Sequence, residues 1–439
     1  MLSQNKEKLE IKQLKIIKYL KNYFLKNNSP FLKKNFFAFY EENEGVKKLK
    51  KNFLNEKSFN LKNLLIRTYS FFFQNYLFTI KSKVQIKKYK SLIITWGSNS
   101  YFNKKGEFFD KYFSINSKYD KFTFWIVIVE DKIPKKISNN IAIVYKKKNF
   151  LFNINNIIII FLNLFKSFIA KISFDHDEKI SSEIINFVKK NRQFSNIKNI
   201  IMPYEGQAFQ KKIFHTFRKN IKTYGFDHSA PHSFPTHLIH TKGSPKNLLV
   251  SGLATKHTYS KYLNWNREDI AITRPSRYEK FKRKDFSNIM FLPHNFEKEF
   301  IILKSLQNFI SRNNEFSIDK IKVKIHPIKL KVRSHINLKK NIINLIKKSN
   351  IKKIRGRNKD LTIVVGFTTT PLVALEFGNT VLHICPNPTI DAYLSCLWKD
   401  LDIEQIDDYS FIYKLKSKGK YLDFTKKNII KKILKYEDS

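Results

Sequence analysis

The sequence predicts an α/β protein: two facing Rossmann-like domains across a cleft, preceded by a helical N-terminal extension. Two observations predict this. From residue 91 onward, short apolar runs of β character alternate with helix-like segments, and the alternation runs twice, over 89–243 and again over 244–400. Two late runs, Val323-Lys324-Ile325-His326-Pro327 and Thr362-Ile363-Val364-Val365-Gly366-Phe367-Thr368-Thr369-Thr370-Pro371, both end in groups suited to an anion. The first delivers an imidazole. The second delivers a glycine, three hydroxyls and a helix start, where backbone N–H groups and the helix dipole favour negative charge. The sequence contains neither a Gly-x-Gly-x-x-Gly loop nor a Gly-Lys-Ser/Thr loop, which argues against the common dinucleotide and NTP folds.

Residues 1–88 read as a basic helical extension, with apolar positions at Leu14, Ile16, Ile17, Leu20, Tyr23 and Phe24. Aromatic clusters at 36–40 and 71–73 interrupt its charge. Two readings stay open: a helix packed on the first domain, or a surface that sets lysines on anionic lipid head groups. Residues 92–96, 124–129, 141–144 and 157–161 read as buried strands of the first domain. Asp175-His176-Asp177-Glu178 reads as the start of the helix that carries Ile184 and Ile185. Residues 199–204 and 222–226 supply two more strands, and a loop rich in Pro, His and Ser, 228–241, closes this half. The second series starts at 247 and continues through 269–272, 288–292, 322–325, 361–365 and 381–384. Residues 401–439 are expected to be a helical segment returning to the first domain.

Ligands in such sheets sit at the carboxyl ends of strands, and the candidate residues are therefore the polar ones found there. Glu205, in Pro203-Tyr204-Glu205-Gly206-Gln207, is either a general base aimed at an acceptor hydroxyl or a cap of the next helix. Gly206 beside it leaves room for an approaching substrate. Asp227 and His228 end the next strand and are the reserve candidates for catalysis or for holding a carboxylate or phosphate. Lys324, His326 and Pro327 end one strand of the second domain. Gly366, Thr368, Thr369 and Thr370 follow another, and one hydroxyl there can cap the helix while the others face phosphate oxygens. His326 is otherwise an ordinary histidine at a strand end. Glu376, one to two turns into that helix, reaches a ribose hydroxyl or is a surface acid. His232, His237 and His240 raise the idea of a metal, but no cysteine or paired acid at suitable spacing supports it. No metal and no cofactor are expected.

Composition bounds the rest. The chain carries 83 basic and 36 acidic residues, a formal charge of +47 over 439 residues. The charge is spread along a sequence saturated in Lys, Asn, Ile and Phe, the pattern of an AT-rich genome. No zinc-finger spacing, RNP-like strand or confined basic tail accompanies it, so nucleic acid is disfavoured as a partner. Cys385 and Cys396 match no zinc pattern and make no disulfide framework, which fits a reduced cytoplasmic compartment. The N-terminus has no apolar signal core. The strongest apolar stretch, 157–164, is far below the ~20 residues that span a bilayer.

The trio Tyr204-Glu205-Gly206, Lys324-Ile325-His326-Pro327 and Gly366-Phe367-Thr368-Thr369-Thr370-Pro371 resembles the acid-Gly, His-Pro and Ser/Thr motifs of bacterial sialyltransferases. The related Kdo transferases of capsule and lipopolysaccharide assembly share that plan. The stretches 204–207 and 225–229, with Thr95-Trp96-Gly97 and Asp110-Lys111-Tyr112-Phe113, also resemble a family of surface carbohydrate biosynthesis proteins. The similarity covers residues 90–400. It implies a GT-B fold, a CMP-activated 2-keto sugar acid as donor and a glycan or lipid-linked acceptor; a cytoplasmic location is expected, and the basic charge suits peripheral contact with the anionic inner face of the membrane. It implies that Glu205 is the catalytic carboxylate and that His326, Thr368, Thr369 and Thr370 hold the CMP moiety. The chain departs from the sialyltransferase motif at Tyr204, which stands where a first acid is often found. A transferase with a UDP-sugar or CDP-polyol donor, and a basic nucleic-acid-binding protein, are the competing readings.

Overall fold

The computed structural model describes residues 2–26, 76–82, 88–129, 131–148, 176–296, 298–312, 315–316, 318, 320–349 and 360–435. The aromatic clusters at 36–40 and 71–73 and the strand expected at 157–161 lie outside them. Among the described residues, the strands are β1 Tyr76–Ser82, β2 Ser91–Gly97, β3 Phe109–Asp110, β4 Ile115–Asn116, β5 Thr123–Val129, β6 Ile141–Lys148, β7 Asn199–Pro203, β8 Lys222–Phe226, β9 Asn247–Val250 and β10 Ile270–Ile272. They continue with β11 Ile289–Phe291, β12 Lys322–Lys324, β13 Leu361–Val365, β14 Thr380–Ile384, β15 Leu401–Asp407 and β16 Ser410–Leu415. The helices are α1 Leu2–Lys26, α2 His176–Lys190, α3 Ala208–Phe217, α4 Leu253–Tyr262, α5 Glu299–Arg312, α6 Arg333–Lys348, α7 Thr370–Glu376, α8 Pro388–Asp391 and α9 Ile429–Leu434.

Two large sheets form two lobes. The first runs β1-β6-β5-β2-β7-β8-β9-β10 and is parallel except for β1. Its core, β6-β5-β2-β7-β8-β9, has the 3-2-1-4-5-6 order of a doubly wound sheet, and the chain reverses direction between β2 and β7. The second runs β12-β11-β13-β14-β16-β15, with β12, β11, β13 and β14 parallel and the β15–β16 hairpin antiparallel. Its reversal lies between β11 and β13. The architecture is the GT-B-like α/β plan expected.

The strands read as continuous apolar runs because both faces are covered. In β5, Phe124, Ile126 and Ile128 face one core while Trp125, Val127 and Val129 face another. In β13, Val364 faces the first of these cores, and Leu361, Ile363 and Val365 face a third. The helices show the 3.6-residue period: α6 buries Leu338, Ile342 and Ile346 at successive fourth positions. One core is shared by the lobes, joining Ile94, Met202 and Val250 of the first to Leu372, Trp398 and Tyr421 of the second.

Three expectations are corrected. Residues 247–250 and 270–272 were expected to open the second domain; as β9 and β10 they extend the first sheet, with Asn247 opposite Tyr224 and Ile270 opposite Leu248. The passage to the second sheet comes later, through the short helical turns Ser276–Tyr278 and Arg283–Asp285. Residues 401–415 are a β-hairpin rather than helix. Its turn is fixed by Asp407, whose Oδ1 accepts from the Tyr409 N–H at 2.9 Å and the Ser410 hydroxyl at 2.7 Å. The chain beyond the hairpin does return to the first lobe, where Ile430 and Leu434 of α9 join the core of Ile93 and Trp125. Finally, α1 hydrogen-bonds to the second lobe. Gln13 donates to the Thr389 and Ala392 carbonyls at 3.0 and 3.1 Å, and Glu10 accepts from the Ser395 N–H at 3.2 Å.

Candidate active site

Glu205 follows β7 at the reversal point of the first sheet, the place where an open α/β sheet leaves a crevice. Its backbone N–H and that of Gln207 both donate to Gln210 Oε1, at 3.0 and 3.1 Å, and Gln210 Nε2 donates to the Pro203 carbonyl at 2.8 Å. One buried amide thus holds the whole strand-to-helix turn. Glu205 Oε2 accepts from Gln207 Nε2 at 2.8 Å. Its side chain keeps 28% exposure, so solvent reaches part of it. Burial pushes its pKa up, against the pull of Arg277 and the Gln207 amide.

Tyr204 does not take part. Its phenol lies in the core against Phe214 and Trp265 and meets the Ser244 hydroxyl at 3.2 Å. Gly206 has a different duty from the one expected. Its φ is +67°, and an added Cβ would sit 2.0 Å from the His237 carbonyl oxygen. The space beside it is filled by backbone, so the glycine serves the turn and a close approach rather than a sugar.

Asp227 and His228 follow directly on β8. The Asp227 Oδ2 accepts from the Tyr259 hydroxyl at 2.7 Å and its Oδ1 from the Ser229 hydroxyl at 3.4 Å. Burial pushes its pKa up to about 7. His228 is buried, with Nε2 3.7 Å from Glu205 Oε1. Burial, with Arg277 and His232 nearby, holds this imidazole well below its usual pKa, so it is neutral. At 3.7 Å the two side chains are not hydrogen-bonded to each other. A hydroxyl between them could donate to the carboxylate while accepting from the imidazole.

In the second lobe, Gly366 ends β13 at the other reversal point with φ +73°. Its N–H donates to the Ile384 carbonyl at 2.8 Å, and its carbonyl accepts from His383 Nε2 at 2.8 Å. Thr368 and Thr370 place their hydroxyls 3.0 Å apart, and the Thr370 N–H donates to Thr368 Oγ1 at 3.3 Å. Thr369 is the N-cap of α7. His326 ends β12, with the His294 ring 5.1 Å away and perpendicular. Pro293-His294, at the end of β11, lies between His326 and Gly366: an added Cβ on Gly366 would sit 3.3 Å from Pro293 Cβ. His335 Nε2 lies 3.2 and 3.1 Å from the Pro293 and His294 carbonyls and fastens that segment. Burial and the neighbours His335 and Lys329 lower the His326 pKa, so its imidazole is neutral too. Lys324 is exposed, its ammonium 5.7 Å from the Phe291 ring centre, and Pro327 starts an exposed turn. Glu376 is not in this group. Its carboxylate accepts the backbone N–H of Gly419 at 2.7 Å, Tyr421 at 2.6 Å and Leu422 at 3.2 Å, a structural task in place of the ribose contact.

The two groups are brought together by the loop 228–240, which was expected to close the first domain. It crosses instead to the second lobe. His232 stacks on Phe367 with ring centres 4.7 Å apart and planes 7° from parallel. The Tyr393 hydroxyl lies 2.9 Å from the Pro231 carbonyl and 3.1 Å from that of Thr368. Ser233 donates to the Ile390 carbonyl at 2.8 Å, and Trp398 Nε1 donates to the Ser233 carbonyl at 2.8 Å. The strand ends that carry Glu205 and Thr368 therefore share one wall.

Sequence reasoning assigned no role to Tyr112, Arg277, His294 or Tyr393. The Tyr112 ring meets His228 edge-on at 4.5 Å, presented by a turn in which Asp110 Oδ1 accepts the Tyr112 and Phe113 N–H groups at 2.7 and 2.9 Å. The signal for His294 was present, since Pro293-His294 also follows a strand. Among the described residues, no group of three or more His, Cys, Asp or Glu side chains is placed to hold a metal ion. Among them, too, no helix is long and apolar enough to cross a membrane.

No protein-family model and no curated protein matches the chain. Among solved structures, it is similar to a crystal structure titled as a glycosyltransferase from Rickettsia africae ESF-5. The identity is 12%, the TM-score is 0.30, and the match covers 69% of this chain and 86% of that one. A likeness of this extent carries no argument about activity.

Proposed function

We propose that this cleft is the active site of a glycosyltransferase that moves a sugar from a nucleotide-activated donor to a hydroxyl of a glycan or lipid-linked acceptor. One observation carries the reading. A partly exposed carboxylate with a raised pKa stands 3.7 Å from a neutral imidazole, and the loop that follows this imidazole stacks on the glycine-hydroxyl turn of the opposite lobe. The acceptor hydroxyl sits between Glu205 and His228 and gives its proton to Glu205 as its oxygen attacks the anomeric carbon. The new C–O bond forms while the bond from that carbon to the nucleotide phosphate breaks, its electron pair leaving with the phosphate. The hydroxyls of Thr369 and Thr370 and the His326 imidazole are the fixed donors for that departing charge.

The resemblance of the three motifs favours a CMP-activated 2-keto sugar acid, such as sialic acid or Kdo, as the donor. The basic surface suits an anionic membrane and an acidic glycan. Titration calorimetry of the full chain with CMP, CDP and UDP tests the donor. CMP is expected to bind most tightly, and replacing Thr369 and Thr370 together by Val to weaken it at least about tenfold, as the loss of hydrogen bonds to a charged group does. Preference for UDP would move the donor to a UDP-sugar. No binding of any of the three would overturn the reading.

A further inference from the structure

We infer that Arg277 is an anion-recognising residue of this cleft, which selects a substrate carrying a carboxylate or phosphate within about one sugar ring of the reacting hydroxyl. Its guanidinium carbon lies 5.9 Å from the ring centre of Tyr112, Tyr112 packs edge-on against His228 at 4.5 Å, and His228 stands 3.7 Å from Glu205. The cation is therefore part of the wall around the candidate base.

Its mounting is rigid. Arg277 is the exposed middle residue of the turn Ser276–Tyr278, whose other two residues are buried. The Ser276 carbonyl accepts from the Ser114 hydroxyl at 3.2 Å, and its Oγ accepts from Asn428 Nδ2 at 2.9 Å. The Tyr278 hydroxyl accepts from the Ala230 N–H at 3.2 Å. Three separate segments thus fix one short turn. The guanidinium, however, makes no ion pair among the described residues. The nearest acid in sequence, Glu279, is taken by Arg274 at 2.6 Å. A planar fork of five donors, held near an aromatic ring, within the field of Glu205 but in no direct ion pair among the described residues, matches a carboxylate or phosphate in bidentate fashion.

The inference deepens the proposed reaction and rests on it for the position of the reacting hydroxyl. Two sources can supply the anion. A 2-keto sugar acid carries its carboxylate on the anomeric carbon itself, next to the attacking oxygen. An acidic acceptor carries one on a neighbouring position.

The test compares Arg277→Ala and Arg277→Lys with the wild-type full chain by titration calorimetry. The probes are CMP-N-acetylneuraminate against CMP, and sialyllactose against lactose. Loss of about 10- to 100-fold in affinity for CMP-N-acetylneuraminate, with CMP unchanged, places the anion on the donor. The same loss for sialyllactose, with lactose unchanged, places it on the acceptor. Arg277→Lys should lie between, because it keeps the charge and loses the fork. The melting temperature should hold in both variants, since the side chain is exposed. If CMP binds and Arg277→Ala takes up both acidic probes as the wild type does, the inference fails and the proposed function stands. If the wild type binds no nucleotide while the sialyllactose effect persists, the donor assignment fails and the Arg277 site stands. If the wild type binds none of the probes, both fail.

Discussion

Burial sets the chemistry of single side chains here. A glutamate must be ionised to accept a proton, and burial raises the Glu205 pKa above the ordinary 4.5. Activity that depends on its base form is lost as pH falls through that raised value. The acid limb of kcat/KM is therefore expected above pH 4.5, and Glu205→Gln should remove the limb and lower turnover about 10²–10⁴-fold. CMP affinity and melting temperature should barely move, because the amide keeps the shape. Near-normal turnover in that variant, with loss in Asp227→Asn, would shift the role to the end of β8. Asp391 allows a separate test of stability. It is buried, accepts the Asn387 N–H at 2.8 Å, and has its pKa pushed up to about 7 from an ordinary 3.8. Between these values the folded chain holds a proton that the unfolded chain has released, so stability falls as pH rises through this window. The buried histidines, whose pKa values are lowered, oppose this only below their ordinary value of about 6.5. From there to about pH 7 the wild type should lose stability, and Asp391→Asn should show a shallower decline in urea midpoint. Parallel curves would refute the assignment.

Glu376 acts at the scale of elements. It sits on α7 in the second lobe and holds the chain segment 419–422 that leaves β16 for the first lobe. On its other side the same segment meets the first lobe. The Ala254 N–H donates to the Lys420 carbonyl at 2.9 Å, the Asp423 N–H donates to the Ser251 carbonyl at 2.8 Å, and an added Cβ on Gly252 would sit 2.2 Å from the Lys420 oxygen. Glu376→Ala strands three backbone donors at a buried crossing. It should cost about 2–4 kcal/mol or more in urea unfolding and spare the affinity of the remaining folded protein for CMP. Loss of CMP affinity without loss of stability would restore the ribose role. The hairpin β15–β16 shows an element that was legible and misread. Leu401, Ile403 and Ile406 lie among Asp402, Glu404 and Asp407, and much of that stretch alternates with the period of a strand.

The lobes behave as one body through a shared core and the loop 228–240. An apolar interface of this kind restrains hinge motion more than a polar one does. Tyr393 is one polar member of the joint, beside Ser233 and Trp398, and its hydroxyl lies against a carbonyl of each lobe. Tyr393→Phe keeps the ring contacts with Trp398 and Tyr413 and removes the hydroxyl. Hydrogen exchange should then quicken in both 228–240 and 366–370, while the centres of β5 and β13 stay protected. Faster exchange in only one of these segments would show that the hydroxyl does not couple them.

Local sequence determined the α/β class, most strand positions and the polar residues at strand ends. Each is written in hydrophobic runs of a few residues and in the polar positions just beyond them, as at Glu205, His228, His326 and Gly366. Tertiary structure alone decided which sheet β9 and β10 join, since a strand with two covered faces looks the same at either sheet edge and long-range pairing makes the choice. It also decided the duties of Gly206 and Glu376, whose partners lie 31 or more positions away in the chain. The placing of Arg277 beside Glu205 is of the same kind. A single arginine on a surface turn carries no local sign of function, and only the packing of Tyr112, His228 and the turn Ser276–Tyr278 puts its charge at the cleft.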